Sequence, residues 1–245
     1  MSYKGTNYFG WQYQPNCRTI QGVLNSALTV LFKEQIKVIG AGRTDTGVHA
    51  KEYYAHFDLK DRIEINKYKI IHSLNGILPN DICVIDLLRV NDTAHARFSA
   101  LSRVYHYYIC RKLNPFILDY VWYYPITLDI ELMNSASFLL TQLKDFAAFT
   151  KKHSNSETTI CNVFYATIEE RDDLIIFKIK ADRFLRNMVR AIVGTLVDLG
   201  RKHITLDDFI KIINSKNRCN AKASAPAKGL FLESIEYPSE IFINT

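Results

Sequence analysis

The stretch CNVFYATIEERDDLIIFKIK, residues 161–180, decides the fold class of this chain. Two runs rich in β-branched and aromatic residues, CNVFYATIEE and DLIIFKIK, stand on either side of the turn sequence ArgAspAsp. Runs of this composition around a short polar turn are typical of a β-hairpin. The sequence therefore predicts antiparallel strands here, and the regions on both sides supply further strands and helices.

The rest of the second half alternates the two element types. RVYHYYIC (103–110) and LFLESIEY (230–237) have strand composition. LDIELMNSASFLLTQL (128–143) and RFLRNMVRAIVGTLVDLG (183–200) have apolar residues at helical spacing.

Polar residues mark the starts of two of these helices. Thr127 is a candidate N-cap for the helix over 128–143. Thr205 and Asp208 form a capping box, which predicts a further helix after residue 205.

The first half repeats the same alternation. Helical spacing predicts helices over 18–34 and 64–78. Strand patterns occur in IKVIG (36–40), EYYAHFDL (52–59) and DICVIDLLRV (81–90), with a further strand expected at the N-terminus.

The order of elements predicts an α+β fold. Each half resembles a ferredoxin-like split β-α-β unit. We expect two such halves, residues 1–101 and 102–245, to form one largely antiparallel sheet flanked by helices. A central active-site cleft would lie between them, with the N-terminal half carrying the glycine-rich loop described below.

Composition narrows the class of function. The net charge of +6 permits a polyanionic partner such as nucleic acid. There is no apolar run long enough to span a membrane, and the N-terminus lacks the pattern of a secretory signal. The five cysteines form no CxxC pair, so we expect reduced thiols, a cytoplasmic protein and no bound metal.

The stretch GAGRTDTGVHA, residues 40–50, places Arg43, Asp45 and His49 on a glycine-rich bend. A dinucleotide fingerprint would need a glycine where Asp45 stands, and a P-loop would need GlyLys followed by Ser or Thr. AspThrGly matches the aspartic protease triplet, but that chemistry needs two carboxylates and the triplet occurs once. From the pattern alone, the bend could be no more than a turn capped by Asp45.

Within this stretch, GRTDTGVHA (42–50) resembles the signature of the bacterial tRNA pseudouridine synthase A family. Other blocks that resemble the family follow in the same order along the chain. They are GTNYFGWQYQ (5–14), HARFSALSRVYHYYI (95–109), RFLRNMVRAIVGTL (183–196) and SAPAKGLFL (224–232). The chain departs from the family in starting several residues later and in having Lys4 where Asp is usual.

The resemblance implies an isomerase that converts uridine to pseudouridine at positions 38, 39 and 40 of the tRNA anticodon stem-loop. It implies no cofactor, because the reaction gains and loses no electrons or atoms. It also implies a homodimer, with tRNA as the partner and no membrane association.

Two residues of the loop acquire catalytic roles from the resemblance. Asp45 matches the catalytic aspartate, and a carboxylate is ionised at neutral pH and can attack a sugar or a ring. Attack on C1′, attack on ring C6 and assistance to a glycal route all remain open. We expect Arg43 to pair with Asp45 in the free protein and then to fill the space left by the flipped base.

The resemblance also gives substrate-binding residues in the second half. Tyr105 matches the tyrosine that stacks on the target base; a proton-transfer role is less favoured, since a phenol ionises only near pH 10. On one helix, Arg183, Arg186 and Arg190 would share a face suited to phosphate contacts. Arg190 is alternatively expected to reach the catalytic carboxylate.

Two further readings limit these assignments. His49 and His95 are expected to be structural, since a histidine in a tight loop usually satisfies backbone groups. The rival function is a non-catalytic RNA-binding protein with the same sheet and basic cleft.

Overall fold

The computed structural model describes residues 1–59, 66–151 and 158–243. The chain forms two compact units: unit 1 comprises Met1–Leu101 with Leu232–Thr245, and unit 2 comprises Ser102–Phe231. The division expected from the sequence places residues 232–245 with the C-terminal half. In the structure they belong to the N-terminal unit.

The described part of unit 1 contains two α-helices and several short strands. Its elements within residues 1–101 are β1 (Ser2–Tyr3), α1 (Ile20–Phe32), β2 (Ile39–Gly40), β3 (His49–Ala50), β4 (Ala55–His56), α2 (Lys67–Ile77) and β5 (Ile82–Cys83). Most of the last strand, β10 (Leu230–Glu236), also belongs to it.

The strands of unit 1 pair in the order β5-β1-β3-β10. β1 is antiparallel to both of its neighbours, with Tyr3 opposite Ala50 of β3 and opposite Ile82 of β5. β2 and β4 form a separate antiparallel pair. The start of the chain is therefore held between two strands.

The described part of unit 2 contains longer strands and three α-helices. Its elements are β6 (Ser102–Cys110), β7 (Trp122–Tyr123), α3 (Ile130–Leu139), β8 (Val163–Arg171), β9 (Leu174–Ala181), α4 (Met188–Gly200) and α5 (Leu206–Asn214). β9 is antiparallel to β6 and to β8, and β7 is parallel to β6. Eleven of the 13 residues of α4 are buried, so this helix lies in the core.

The α+β prediction is confirmed. Within the described residues, the strands of each unit pair in a mostly antiparallel manner, and five α-helices accompany them. The predicted hairpin is β8 and β9, whose turn places Asp172 in the left-handed region at φ 54°. The capping box of Thr205 and Asp208 is also present at the start of α5.

The strands predicted over 36–40 and 52–59 are much shorter than expected. The cause is clear at Val38, whose two backbone groups are bonded by side chains rather than by another strand. Asn25 accepts from its N–H at 2.9 Å, and Gln21 donates to its carbonyl at 2.7 Å. A residue satisfied in this way adds nothing to a strand ladder.

Two helix starts also differ from the prediction. Asp129, not Thr127, caps α3, because its carboxylate accepts from the Leu132 N–H at 3.0 Å. The first two residues of the helix predicted over 64–78 lie outside the described residues, and α2 begins at Lys67 with Asn66 as its cap.

Candidate active site

Asp45 begins a tight turn in unit 1. The Val48 N–H donates to the Asp45 carbonyl at 3.2 Å, and Gly47 has a φ of 80°. A glycine with positive φ in the third place of such a turn is typical of a type II turn. Asp45 is half-buried and Thr46 is exposed, so the turn holds the carboxylate near the protein surface.

The N-terminal segment fixes the residue that precedes Asp45. The Trp11 N–H donates to the Thr44 carbonyl at 3.2 Å, and the Tyr3 hydroxyl lies 2.9 Å from the Thr44 hydroxyl in a buried contact. Gly10 has a φ of 84°, and a Cβ there would stand 2.5 Å from the Thr44 carbonyl oxygen. The backbone that leads into Asp45 is therefore held from several directions.

The two loop histidines have the structural contacts expected of them. His49 is buried, and its Nδ1 accepts from the Gly5 N–H at 3.1 Å. The Nδ1 of His95 accepts from the backbone N–H groups of Arg97 and Phe98 at 3.1 and 3.3 Å.

Arg43 does not pair with Asp45, in contrast to the expectation. Its side chain is exposed, and its Nε donates to Gln12 Oε1 at 3.2 Å. No ion pair joins Arg43 to Asp45 in the part of the chain that the structure describes. The guanidinium is held by an amide of the N-terminal segment instead.

Tyr105 of unit 2 lies on β6, where it is half-buried and meets the edge of Phe184 at a centroid distance of 5.0 Å. Tyr107 is fully buried and donates to the Pro226 carbonyl at 2.8 Å, and burial raises the pKa of its phenol. Tyr108 packs edge-on against Phe231. Tyr105 and Tyr108 therefore combine partial exposure with a neighbouring aromatic ring, whereas Tyr107 is buried.

Arg190 of α4 is anchored to the chain beside it. Its Nε donates to the Ala225 carbonyl at 2.8 Å, and the Ala225 N–H donates back to the Arg190 carbonyl at 2.9 Å. The two segments touch closely, because a Cβ on Gly194 would lie 1.9 Å from the Ala223 carbonyl oxygen. The direction in which the Arg190 side chain leaves the helix is therefore fixed at its Nε.

The predicted helix over 183–200 begins at Met188, so the expected arginine face is wrong. The Asp182 carboxylate accepts from the Arg183 N–H at 2.7 Å, and Asn187 has a φ of 66°. The left-handed backbone of Asn187 is not compatible with a helix that runs through residue 187. Arg186 is exposed and Arg183 half-buried, but neither shares a helical face with Arg190.

Other kinds of site find little support. Among the described residues, no group of three or more His, Cys, Asp or Glu side chains is arranged to hold a metal ion. The described helices are also too short or too polar to cross a membrane.

Sequence reasoning missed four residues that support the loop: Tyr3, Thr44, Gln12 and Gln21. One of them carried a signal, since Gln21 stands three residues before Leu24 and seven before Leu28. Helical spacing therefore put an amide on the apolar face of α1, and a polar residue there calls for a partner.

Comparison of the sequence with those of known proteins identifies the family. The family model described as tRNA pseudouridine synthase matches residues 1–99 and 140–238. The chain belongs to this family of isomerases.

The relatives are similar over nearly their whole length. The tRNA pseudouridine synthase A of Azobacteroides pseudotrichonymphae is 46% identical over 244 residues, covering 100% of this chain and 97% of the relative. The protein of the same name from Bacteroides fragilis is 46% identical, covering 99% and 96%. That from Thermoanaerobacter sp. is 43% identical and covers 97% of both chains.

Proposed function

We propose that this protein isomerises uridine to pseudouridine at positions 38, 39 and 40 of the tRNA anticodon stem-loop, with Asp45 as the nucleophile. The observation that carries the proposal is the turn at Asp45. The turn carries the half-buried carboxylate of Asp45. The preceding residue, Thr44, is hydrogen-bonded to the N-terminal segment and so holds the turn in place. The family match supports the same reaction.

The reaction conserves every atom. The bond from N1 to C1′ breaks, the base rotates, and a bond from C5 to C1′ forms while the proton on C5 is lost and N1 gains one. A carboxylate can form a covalent intermediate or stabilise positive charge on the sugar during such a bond exchange. The target base must first leave the helical stack, because a stacked nucleoside cannot be reached.

Glycine suits the turn that carries Asp45. At Gly47 the backbone has a positive φ, which residues with a side chain rarely adopt. The carboxylate can therefore sit on a short bend that a nucleoside can approach. A longer loop would leave the oxygen atoms less well fixed for attack.

The residues of unit 2 are proposed to bind the RNA. Tyr105 offers a partly exposed ring for base stacking, and Arg186 offers an exposed guanidinium for a phosphate. Arg183 and Arg190 are half-buried, and Arg190 is held at its Nε by Ala225. We keep all four as substrate-binding residues, with stacking rather than proton transfer as the role of Tyr105.

The proposal includes a cellular setting. tRNA is the partner, the protein acts in the cytoplasm, and it acts as a homodimer, as the resemblance to the family implies.

Replacing Asp45 tests the proposed chemistry. We expect Asp45→Asn to abolish pseudouridine formation while tRNA affinity stays within several-fold, because the amide keeps the shape of the carboxylate but is a far weaker nucleophile. Pseudouridines would be mapped on tRNA incubated with each protein, and affinity measured by filter binding. Turnover by Asp45→Asn would contradict the assignment.

The same experiment distinguishes the proposed function from the rival one. A non-catalytic RNA-binding protein would bind the anticodon arm and leave its uridines unchanged in the wild-type reaction. It would also be indifferent to Asp45→Asn in both measurements.

A further inference from the structure

Gln21 is a buried amide on α1, and the other buried residues of this helix are apolar. It is 6% exposed. Its Nε2 donates to the Val38 carbonyl at 2.7 Å, and its Oε1 accepts from the Tyr13 N–H at 2.7 Å. The same oxygen accepts from Gln12 Nε2 at 3.0 Å. Both ends of the amide are therefore used.

The buried end of this network fixes the orientation of both amides. A carbonyl oxygen can only accept, so Gln21 must turn its amino group toward Val38 and its oxygen toward Gln12. Gln12 must then donate to that oxygen, which leaves its own oxygen facing Arg43. The Nε of Arg43 donates to this oxygen at 3.2 Å. The hydrogen bonds run in one direction, from the exposed guanidinium to the core.

We infer that Gln12 and Gln21 are positioning residues for Arg43. They hold the guanidinium at its Nε, so that its two terminal amino groups point away from the amide chain toward an RNA ligand. Arginine has large rotamer freedom, and ordering it before the ligand arrives removes a cost of binding and alignment. The inference rests on the proposed function, since it assigns Arg43 a contact with the RNA during the reaction.

The helix provides a matched control. Asn25 lies one turn after Gln21, and its Oδ1 accepts from the N–H of the same residue, Val38, at 2.9 Å. Both side chains therefore satisfy backbone groups of Val38, but the amide chain to Arg43 passes through Gln21. A variant at Asn25 loses a bond to the same residue but removes no member of that chain.

The first test measures the order of the Arg43 side chain, independently of activity. We would prepare the full chain with Gln12→Met, Gln21→Met or Asn25→Leu and record ¹⁵N relaxation at the Arg43 Nε–H. We expect the order of this group to fall in both glutamine variants and to stay at the wild-type level in Asn25→Leu. Unchanged order in Gln12→Met would overturn the inference.

The second test asks whether this order matters for the reaction. We expect Gln12→Met to lower the single-turnover rate of pseudouridine formation roughly tenfold. In the background of Arg43→Met, the same change should cause no further loss. Losses that multiply independently would overturn the inference, because Gln12 would then act through something other than Arg43.

The two proposals fail in different ways. A wild-type protein that forms no pseudouridine contradicts the proposed function, and the relaxation measurement still decides whether Gln12 and Gln21 order Arg43. Equal losses of thermal midpoint in Gln21→Met and Asn25→Leu, with loss of rate only in Gln21→Met, would separate positioning from stability and support the inference.

Discussion

Gly10 illustrates how one residue can set the geometry of the Asp45 turn. Its φ of 84° lies in the left-handed region, and its Cα faces the Thr44 carbonyl so closely that a methyl group has no room. The next residue, Trp11, bonds the same carbonyl. Glycine is needed here for its backbone freedom and for the close approach of two segments.

We predict that Gly10→Ala lowers the free energy of unfolding by about 1–3 kcal/mol. Pseudouridine formation should slow by more than the loss of folded protein explains, because the added methyl group displaces Thr44 and Asp45. Urea unfolding and single-turnover kinetics would measure the two effects.

Gly42→Ala is the control for this prediction. An added Cβ at Gly42 meets no atom within 4 Å, and its φ is outside the left-handed region. This variant should retain wild-type stability and rate. If both glycine variants behaved alike, the close approach at Gly10 would not be the cause.

At the scale of elements, the start of α4 separates what the sequence could predict from what it could not. Apolar spacing continues through residues 183–187, so periodicity favours a helix there. The left-handed backbone of Asn187 prevents a continuous helix there. Hydrophobic periodicity is insensitive to such a local backbone conformation.

Other elements follow the same division. α1, the β8–β9 hairpin and the Thr205 capping box were predictable, because each is determined by residues close together in sequence. The short length of β2 could not be predicted, because it depends on side chains of α1 that lie 13 and 17 residues from Val38 in the sequence. In the candidate site, the motif was enough to propose Asp45, whereas the amide chain to Arg43 could be seen only from three-dimensional contacts.

Asn187 offers a test at this scale. We predict that Asn187→Ala destabilises the protein by about 1–2 kcal/mol, since alanine is strained at positive φ and loses the bond to Ser224 Oγ, now 2.6 Å long. Asn187→Gly should cost less, because glycine accepts the backbone conformation and loses only the side-chain bond. Urea unfolding of the two variants would measure this. An Asn187→Gly protein as unstable as Asn187→Ala would rule out a backbone origin.

At the scale of the whole molecule, pH and salt act on charges distributed over the chain. His56 has a lowered pKa: burial lowers it, His95 beside it lowers it further, and Asp58 opposes them. Its Nδ1 accepts from the Ala96 N–H at 3.1 Å, which requires the neutral ring.

This shift predicts a loss of stability in mild acid. Because the folded pKa lies below the unfolded value of about 6.5, the unfolded chain takes up the proton first. The neutral His56 ring therefore contributes fully to the free energy of unfolding above about pH 6.5. This contribution declines as the pH falls toward the folded pKa. Urea unfolding between pH 7 and 5 would measure the decline, at pH values above those at which carboxylates titrate.

His56→Gln should weaken this pH dependence, since its amide oxygen can accept the same bond without titrating. His72→Gln, at an exposed site on α2, should leave the dependence unchanged. Equal pH profiles for wild type and His56→Gln would assign the effect to other groups.

Salt tests the arginines of unit 2. We predict that Arg186→Ala flattens the dependence of log affinity for tRNA on log salt concentration by about one unit. Arg186→Lys should keep the wild-type slope, because the charge remains. Binding titrations over a range of salt would measure both, and an unchanged slope in Arg186→Ala would remove it from the RNA-binding residues.

The order in which the chain is made adds a consequence of the discontinuous unit 1. During translation, every residue of unit 2 leaves the ribosome before the larger part of β10 does. The first hundred residues therefore lack β10, and one edge of β3 stays unpaired, until more than half of the protein has been synthesised after them. Nascent chains stalled before residue 232 would carry Asp45, the proposed nucleophile, on an incomplete sheet that is exposed to chaperones and proteases.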